Sequence, residues 1–218
     1  MGTLLQRVNI GSSTKKKVRP LRERVRDAVS GAILDAAEEI IAERGVHQAS
    51  MSEIAARAGV AVGTVYNHFA DRDSLLRALF RVRRALISPE IVRLAEAGKS
   101  AGFEERLRGL VRSVLELLER HRRFVVVALE AEQIRNEPTS GGPSRPVMTA
   151  LHTAAADILA AGASSGAIRR GDVDRLVRLL LGAMRGLLRY RLEIGGPFTD
   201  DADFLVEVFL RGAGAESR

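Results

Sequence analysis

Four of the five residues at positions 64–68 carry side chains that donate or accept hydrogen bonds: Thr64, Tyr66, Asn67 and His68. They offer hydroxyl, amide and imidazole groups, which can meet the oxygen and nitrogen atoms of a polar partner. Arg72 follows closely, and its guanidinium can hold an oxyanion such as a phosphate with two parallel hydrogen bonds. Gly63 precedes them and permits close approach to the backbone. These groups suit recognition through hydrogen bonds and charge.

Metal-binding and catalytic patterns find little support in the rest of the sequence. The four histidines lie at positions 47, 68, 121 and 152, and no two of them form an HxxxH zinc pair. The chain has no cysteine, which excludes a disulfide framework and thiolate metal sites. The sequence therefore predicts a protein that is not an enzyme and that holds neither a cofactor nor a metal.

Residues 50–69 predict two short helices joined by a tight turn. Ser50 and Glu53 are spaced as a capping box, because each side chain can reach the backbone N–H of the other residue. Gly59 stands where the first helix must end, since glycine takes a left-handed C-cap conformation without steric cost. The second helix is expected over residues 62–68.

Two short helices joined by a glycine-containing turn are typical of the helix-turn-helix motif. Val62, Val65 and Phe69 are predicted to face inward, which leaves the hydrogen-bonding side chains facing outward. In this motif the second helix lies in the major groove of DNA, where its first turns meet the base edges. The alternative is an ordinary helical hairpin within an all-α core.

A longer stretch of the sequence resembles a known family. From Ile33 to Leu79 the chain is similar to the N-terminal domain of the TetR family of bacterial transcription regulators. The similarity is carried by ILDAAEEIIAERG (33–45) and ASMSEIAARAGVAVGTVYNHFADRDSLLRALF (49–80). Its most specific part is the run IAxxAGVxxGTVYxxF, followed by Arg72 and Leu75. The resemblance implies an all-α fold, with an N-terminal three-helix helix-turn-helix DNA-binding domain and a C-terminal helical ligand-binding and dimerisation domain.

The resemblance also implies roles for single residues. The Tyr66 hydroxyl is expected to meet a DNA phosphate, and so is Arg72, which stands where the family usually has lysine. Thr64 is expected to face base edges. The full set of expected DNA-binding residues is Lys15, Lys16, Lys17, Arg19, Ser52, Gly63, Thr64, Tyr66, Asn67, His68 and Arg72. Ala61 departs from the family, which often has a capping Ser or Thr at this position.

The N-terminal residues of that set lie in a segment, 1–24, that is predicted to be a flexible basic arm. The net charge of +7 is concentrated near it: residues 1–85 hold 15 Lys and Arg against 9 Asp and Glu, and the remaining residues hold 19 against 18. Such a concentration is typical of a phosphate-binding surface. The arm could follow phosphates or enter a minor groove, although basic runs are often only solvated tails.

The remainder of the chain predicts a DNA-binding domain over 25–80 and a helical effector-binding and dimerisation domain over 81–218. Apolar residues recur at helical spacing throughout the second domain. Asp71 and Asp172 are expected to cap helices, and Pro89 to kink or interrupt one. A loop is expected over 138–146 and a last helix over 200–211.

In the TetR family an apolar effector pocket lies among the middle helices, and the two terminal helices pair with their copies in a dimer. The expected pocket residues are Phe80, Phe103, Leu107, Val111, Phe124, Val127, Ala128, Gln133, Met148, Leu151, His152 and Met184, although each could equally be plain core. The expected dimer residues are Leu176, Leu179, Leu180, Ala183, Leu187, Tyr190, Phe204, Leu205, Val208 and Phe209, although both helix faces could belong to the core of one chain.

Together these features predict a sequence-specific DNA-binding transcription regulator, a repressor that a small-molecule effector releases from its operator. The expected partners are double-stranded DNA with a palindromic operator, a second copy of the chain and a small apolar ligand. No membrane partner is expected, since no apolar run approaches the roughly 20 residues of a membrane span. The expected location is the bacterial cytoplasm, with the nucleoid. The alternative is a helical protein–protein interaction module that does not bind DNA.

Overall fold

A computed structural model describes residues 20–96, 101–134, 145–169 and 171–213. Over these ranges the chain forms nine α-helices, one 3₁₀ helix and no extended strand, which confirms the predicted all-α fold class. The helices are α1 Leu21–Arg44, α2 Met51–Ala58, α3 Val62–His68, α4 Arg72–Glu96, α5 Phe103–Arg120, α6 Arg122–Ile134, α7 Arg145–Ser165, α8 Val173–Ile194, the 3₁₀ helix Phe198–Asp201 and α9 Ala202–Ala213.

The first three helices pack around a small aliphatic core. Helix α1 lies against α2, and α2 lies against α3. Ile33, Ala37, Ile54 and Val65 are each fully buried at this junction. The apolar stripe of α1 thus provides the platform on which the two short helices rest.

Local hydrogen bonds fix the beginning and end of α2 as predicted. The Ser50 hydroxyl accepts from the Glu53 N–H at 3.2 Å, and the Glu53 carboxylate accepts from the Ser50 N–H at 3.2 Å. Gly59 ends the helix with a φ of 69°, in the left-handed region. Ala61 precedes α3 and provides no side-chain cap, so the first N–H groups of α3 lack this partner.

Helix α4 connects the N-terminal helices to the rest of the chain. Its start is capped by Asp71, whose Oδ1 accepts from the Ser74 N–H at 2.6 Å, as the sequence predicted. The helix continues through Pro89, so the interruption that the sequence predicted there does not occur. The predicted boundary between residues 80 and 81 therefore falls inside one continuous helix.

The C-terminal helices form a second packed body. Helix α7 lies against α4 and α8, while α5 contacts α7, α9 and the 3₁₀ helix. Helix α8 is capped by Asp172, which accepts from the N–H groups of Asp174 and Arg175. The apolar face of α5 is buried as predicted, with Leu107, Val114 and Leu117 fully inaccessible.

Several element boundaries differ from the sequence prediction. Helix α1 already begins at Leu21, so the last four residues assigned to the flexible arm are helical. Helix α7 begins at Arg145, before the predicted end of the loop, and residues 198–201 form a 3₁₀ turn ahead of α9. Val62 was expected inside but is 40% exposed, because it lies in the first turn of a two-turn helix whose inner face is occupied by Val65.

Candidate nucleic-acid interface and apolar cavity

Helix α3 presents its polar side chains to solvent while Val65 anchors it to the core. The Tyr66 side chain is 51% exposed and Asn67 is also exposed, whereas Thr64 and His68 are partly buried. A Cβ at Gly63 would have no atom within 4 Å among the described residues outside its own helix turn. The packing of the chain itself therefore does not require glycine at this position, and the outer surface of α3 is open to a partner.

Arg72 lies at the start of α4 and is held in place by a backbone group. Its Nη1 donates to the carbonyl oxygen of His47 at 3.3 Å, which ties the guanidinium to the α1–α2 corner. Its Nε is buried and has no hydrogen-bond partner in the part of the chain that the structure describes. Ser52 is exposed in the first turn of α2, with its hydroxyl 3.3 Å from that of Ser50. The terminal nitrogens of Arg72 and the Ser52 hydroxyl are thus partly oriented.

Ion pairs connect α1 to the helices that pack on it. Arg57 of α2 pairs with Glu39 at 3.1 Å and with Glu43 at 3.0 Å. Hydrogen bonds from these two carboxylates, chiefly Glu43, raise the pKa of Arg57. Arg83 of α4 contacts both Asp35 and Glu38 of α1. The pairs of Arg57 are accessible to water and contribute little stability singly, whereas the side chains of Arg83 and Glu38 are only 18% and 11% exposed. Together these pairs orient α1 against α2 and α4.

The basic residues predicted in the arm lie outside the described residues. Lys15, Lys16, Lys17 and Arg19 therefore remain predictions. The first two turns of α1, residues 21–28, are exposed and carry Arg22, Arg24 and Arg26. Positive charge thus continues from the arm into the exposed start of α1.

A cavity of about 100 Å³ lies between helices α4 to α8. Its lining is almost entirely aliphatic and aromatic, and among the described lining residues Arg185 alone carries a charge. The lining residues are Ile87, Leu118, Phe124, Val125, Ala128, Leu129, Val147, Met148, Leu151, Leu181, Met184, Arg185 and Leu188. Helices α6 and α8 contribute four residues each, and α7 contributes three.

The structure separates the predicted pocket residues into two groups. Those that line the cavity are Phe124, Ala128, Met148, Leu151 and Met184. Those that do not are Phe80, Phe103, Leu107, Val111, Val127 and His152, while the Gln133 side chain lies outside the described residues. Phe80 packs edge-on against Phe124 at 5.5 Å, and the His152 ring contacts Asp174 at 2.8 Å. The α5 residues Leu107 and Val111, and Val127 of α6, are part of the buried core.

Three of the four residues that α8 contributes to the cavity were not predicted from the sequence. Leu181, Arg185 and Leu188 follow helical spacing with Met184 and thus share its face. Only Met184 of this face was predicted, since α8 was assigned to the dimer. A full helical-wheel comparison of α8 would have revealed two apolar faces, one for the cavity and one for solvent.

The predicted dimer residues also divide by burial. Leu180, Leu205 and Phe209 are 0%, 3% and 6% exposed and are core of one chain, so their assignment to an interface was wrong. They occupy the inner faces of α8 and α9. The outward faces carry the exposed Leu179, Ala183, Tyr190, Phe204 and Val208, with Leu176 and Leu187 partly buried.

Residues 162–166 spell the GxSxG pattern of a nucleophile elbow, but their geometry is different. Ser164 lies in the last turn of α7, not on a strand-to-helix turn. Its hydroxyl donates to the carbonyl of Ala160 at 2.9 Å. Gly162 instead accommodates the ring of Phe103, which a Cβ would meet at 2.4 Å. The pattern therefore reflects helix packing.

Neither a metal-binding cluster nor a membrane-spanning helix is present in the part of the chain that the structure describes. No group of three or more histidine, aspartate or glutamate side chains in these residues could hold a metal ion. Over the same ranges, none of the helices combines the length and the apolar character that crossing a membrane requires.

Comparison with known proteins agrees with this geometry. The sequence model of "Bacterial regulatory proteins, tetR family" matches residues 33–79. The "Fatty acid metabolism regulator protein" of Bacillus subtilis (strain 168) is 33% identical over 151 residues, which cover 68% of this chain and 75% of the relative. The chain belongs to the tetR family. The "HTH-type transcriptional regulator BetI" of Escherichia coli (strain K12 / DH10B) is 33% identical over 79 residues, or 36% of this chain and 40% of that protein.

Solved structures of tetR-family regulators share the fold. FadR from Bacillus subtilis, in complex with stearoyl-CoA, superposes with a TM-score of 0.67 at 24% identity, over 84% of this chain and 98% of that one. The ketosteroid transcriptional regulator KstR2 of Mycobacterium tuberculosis gives a TM-score of 0.63 at 26% identity, over 86% and 95%. This tetR-family protein is a DNA-binding transcription regulator, and its relatives are regulators, not enzymes. An interaction module without DNA binding is not favoured.

Proposed function

We propose that this regulator binds a palindromic operator as a homodimer, with α3 of each protomer in a major groove. The proposed contacts come from Ser52, Gly63, Thr64, Tyr66, Asn67, His68 and Arg72, and the arm adds phosphate contacts through Lys15, Lys16, Lys17 and Arg19. The exposure of the polar side chains of α3 supports this assignment. Two copies related by a two-fold axis would read two half-sites about one helical turn apart.

The dimer forms through the outward faces of the last two long helices. Leu179, Tyr190, Phe204 and Val208 are large apolar side chains that are between 50% and 61% exposed. Contiguous apolar surface of this kind marks an interaction site. Residues 25–80 serve as the DNA-binding unit and residues 81–218 as the effector-binding and dimerisation unit, with α4 running through both.

The effector is an apolar molecule of the fatty acyl type. The apolar lining of the cavity formed by helices α4 to α8 carries this proposal. Apolar side chains stabilise a ligand by burying its hydrocarbon surface. Arg185 is the charged residue among the described lining residues. The relative named for fatty acid metabolism and the FadR structure with stearoyl-CoA support this ligand class.

Ligand binding requires the cavity to expand. Its volume of about 100 Å³ is below the roughly 300–1,000 Å³ of ligand pockets. An acyl chain therefore favours a conformation in which the surrounding helices have moved apart. If that conformation spaces the two α3 helices wrongly for successive major grooves, the ligand releases the repressor from DNA.

Calorimetric titration with acyl-CoA compounds of increasing chain length tests the ligand class. We expect binding to strengthen with each added methylene, by up to about 0.8 kcal/mol, until the cavity is full. Leu151→Asp places a charge in the cavity wall and should abolish binding, whereas Glu116→Asp on the exposed face of α5 should not. Binding of strongly charged small metabolites alone would contradict the apolar assignment.

A further inference from the structure

Helix α6 has two opposite faces, one toward the cavity and one toward the DNA-binding helices. Arg123 and Glu130 are seven residues apart, so they lie about two turns apart on one face. That face lies toward α1, against which α6 packs. At about 100° per residue, the cavity residues fall on the other side of the helix: Phe124, Val125, Ala128 and Leu129.

Glu130 makes a polar contact with the corner between α1 and α2. Its Oε1 accepts a hydrogen bond from the Val46 backbone N–H at 2.8 Å. Val46 is 5% exposed and lies two residues after the end of α1, so this N–H lies outside the helical hydrogen-bond series. A buried N–H without a partner is costly. Glu130 of α6 therefore provides the hydrogen-bond acceptor for the Val46 N–H of the DNA-binding domain.

The absence of a side chain at Gly45 leaves space for the Glu130 carboxylate. The φ of Gly45 is +88°, and a Cβ at this position would lie 2.6 Å from Oε1 of Glu130. A side chain here would thus be strained and would displace Glu130. Both the residue that donates to Glu130 and the glycine before it are adapted to the contact.

A second contact on the same face is weaker. Arg123 pairs with Glu39 of α1 at 2.8 Å, and Glu39 also pairs with Arg57 of α2. The Arg123 side chain is 65% exposed, and an ion pair so accessible to water contributes little. The partly buried Glu130 contact is therefore the stronger connection between α6 and the DNA-binding helices.

We propose that Glu130 is the positioning residue that couples the cavity to DNA binding. In the ligand-free protein it holds the α1–α2 corner, and with it α2 and α3, in the orientation that binds DNA. A ligand that pushes α6 aside withdraws the carboxylate from Val46 and releases the corner. This inference rests on the proposed function, since it requires the cavity to be the effector site.

The test compares Glu130→Ala, which removes the acceptor, with Glu130→Gln, which keeps an oxygen acceptor of the same length. Glu116→Ala, on the exposed face of α5, is the matched control. Affinity for an operator duplex is measured by fluorescence anisotropy, with and without palmitoyl-CoA. We expect Glu130→Ala to weaken ligand-free DNA binding by roughly tenfold, which is within the usual range of allosteric coupling. The ratio of the affinities measured with and without ligand should then be close to one.

Amide hydrogen exchange of Val46 provides a measurement that does not need the ligand. The amide should lose protection in Glu130→Ala but keep it in Glu130→Gln, while circular dichroism shows both variants folded. Should Glu130→Ala not fold, Gly45→Ala is the second variant, because its Cβ would meet Oε1 of Glu130 and displace this acceptor from the Val46 N–H. Failure of the wild type to bind any duplex would refute the proposed function. Wild-type DNA affinity and ligand response in folded Glu130→Ala would overturn this inference alone.

Discussion

The proposed contact of Tyr66 with a DNA phosphate is supported by both the sequence and the structure. Tyr66 follows Val65, which is fully buried, and its own ring is half exposed, so the backbone of α3 directs its hydroxyl outward. The Tyr66 hydroxyl can therefore be removed without disturbing the core.

Removal of the Tyr66 hydroxyl is expected to weaken operator binding. Tyr66→Phe should raise the Kd by roughly tenfold, because one hydrogen bond to a charged phosphate is lost per protomer. Fluorescence anisotropy with a labelled duplex measures the change, and Glu116→Ala on the exposed face of α5 is the control. Equal affinities for wild type and Tyr66→Phe would show that the hydroxyl does not contact DNA.

Arg72 is expected to contribute through charge. Arg72→Ala should lower both the affinity and the salt dependence of binding, by about one released counterion per protomer. Arg72→Lys retains the charge but not the hydrogen bond to the His47 carbonyl, so it should keep the salt dependence. Binding measured from 50 to 300 mM salt (about these limits) distinguishes the two variants. An unchanged slope in Arg72→Ala would rule out the phosphate contact.

At the scale of elements, the caps explain why some boundaries could be predicted. The capping box of α2, its glycine C-cap and the Asp71 and Asp172 caps are local, so the sequence alone specifies them. Burial of a given helix face is not local. Leu180, Leu205 and Phe209 were assigned to the dimer because spacing shows that a face is apolar, but not which neighbour covers it.

The missing cap of α3 predicts a stabilising substitution. Ala61→Ser should raise the free energy of unfolding by about 1 kcal/mol, since its hydroxyl can accept from a free N–H of the first turn. Ala56→Ser, at an exposed interior position of α2, offers no such bond and should be neutral or slightly destabilising. Urea unfolding of the three proteins decides between these outcomes. No gain for Ala61→Ser would mean that the first turn of α3 is already satisfied.

The cap of α4 predicts a dependence on pH. The Ser74 backbone N–H donates to Asp71 and lowers the pKa of its carboxyl below the usual 3.8. Because the folded pKa is the lower one, this contribution is present above pH 3.8 and is lost as the pH falls through the folded value. Asp71→Asn should therefore unfold with less dependence on acid, as followed by circular dichroism between pH 5 and pH 2 (about these limits). Parallel acid transitions would contradict the assignment.

At the scale of the whole molecule, the sequence predicted the fold and five of the thirteen described residues that line the cavity. The N-terminal motif has many residues fixed in order and spacing, whereas the cavity is formed by five helices that meet only in the folded chain. Phe124, Ala128, Met148, Leu151 and Met184 were predicted from their positions on apolar helix faces, but the other lining residues, including three of the four from α8, required the packing itself. The contact between Glu130 and Val46 spans 84 residues and has no sequence signature.

Dimerisation is expected to depend on the exposed apolar face of α8 and α9. Leu179→Glu should convert the dimer to a monomer, because two like charges would meet across a two-fold axis. Val92→Glu is the matched control, since Val92 is an apolar residue of similar exposure on α4. Sedimentation equilibrium gives the mass of each protein. A dimeric Leu179→Glu variant would place the interface elsewhere.

The central claim is that two copies of α3 read a symmetric DNA sequence. It is tested most directly by selecting bound sequences from random duplex DNA, with wild type and with Tyr66→Phe/Arg72→Ala compared side by side. We predict enrichment of a palindrome whose half-sites lie about one helical turn apart, and its loss in the double variant. No enrichment by the wild type at moderate salt, or the same enrichment by both proteins, would contradict the claim.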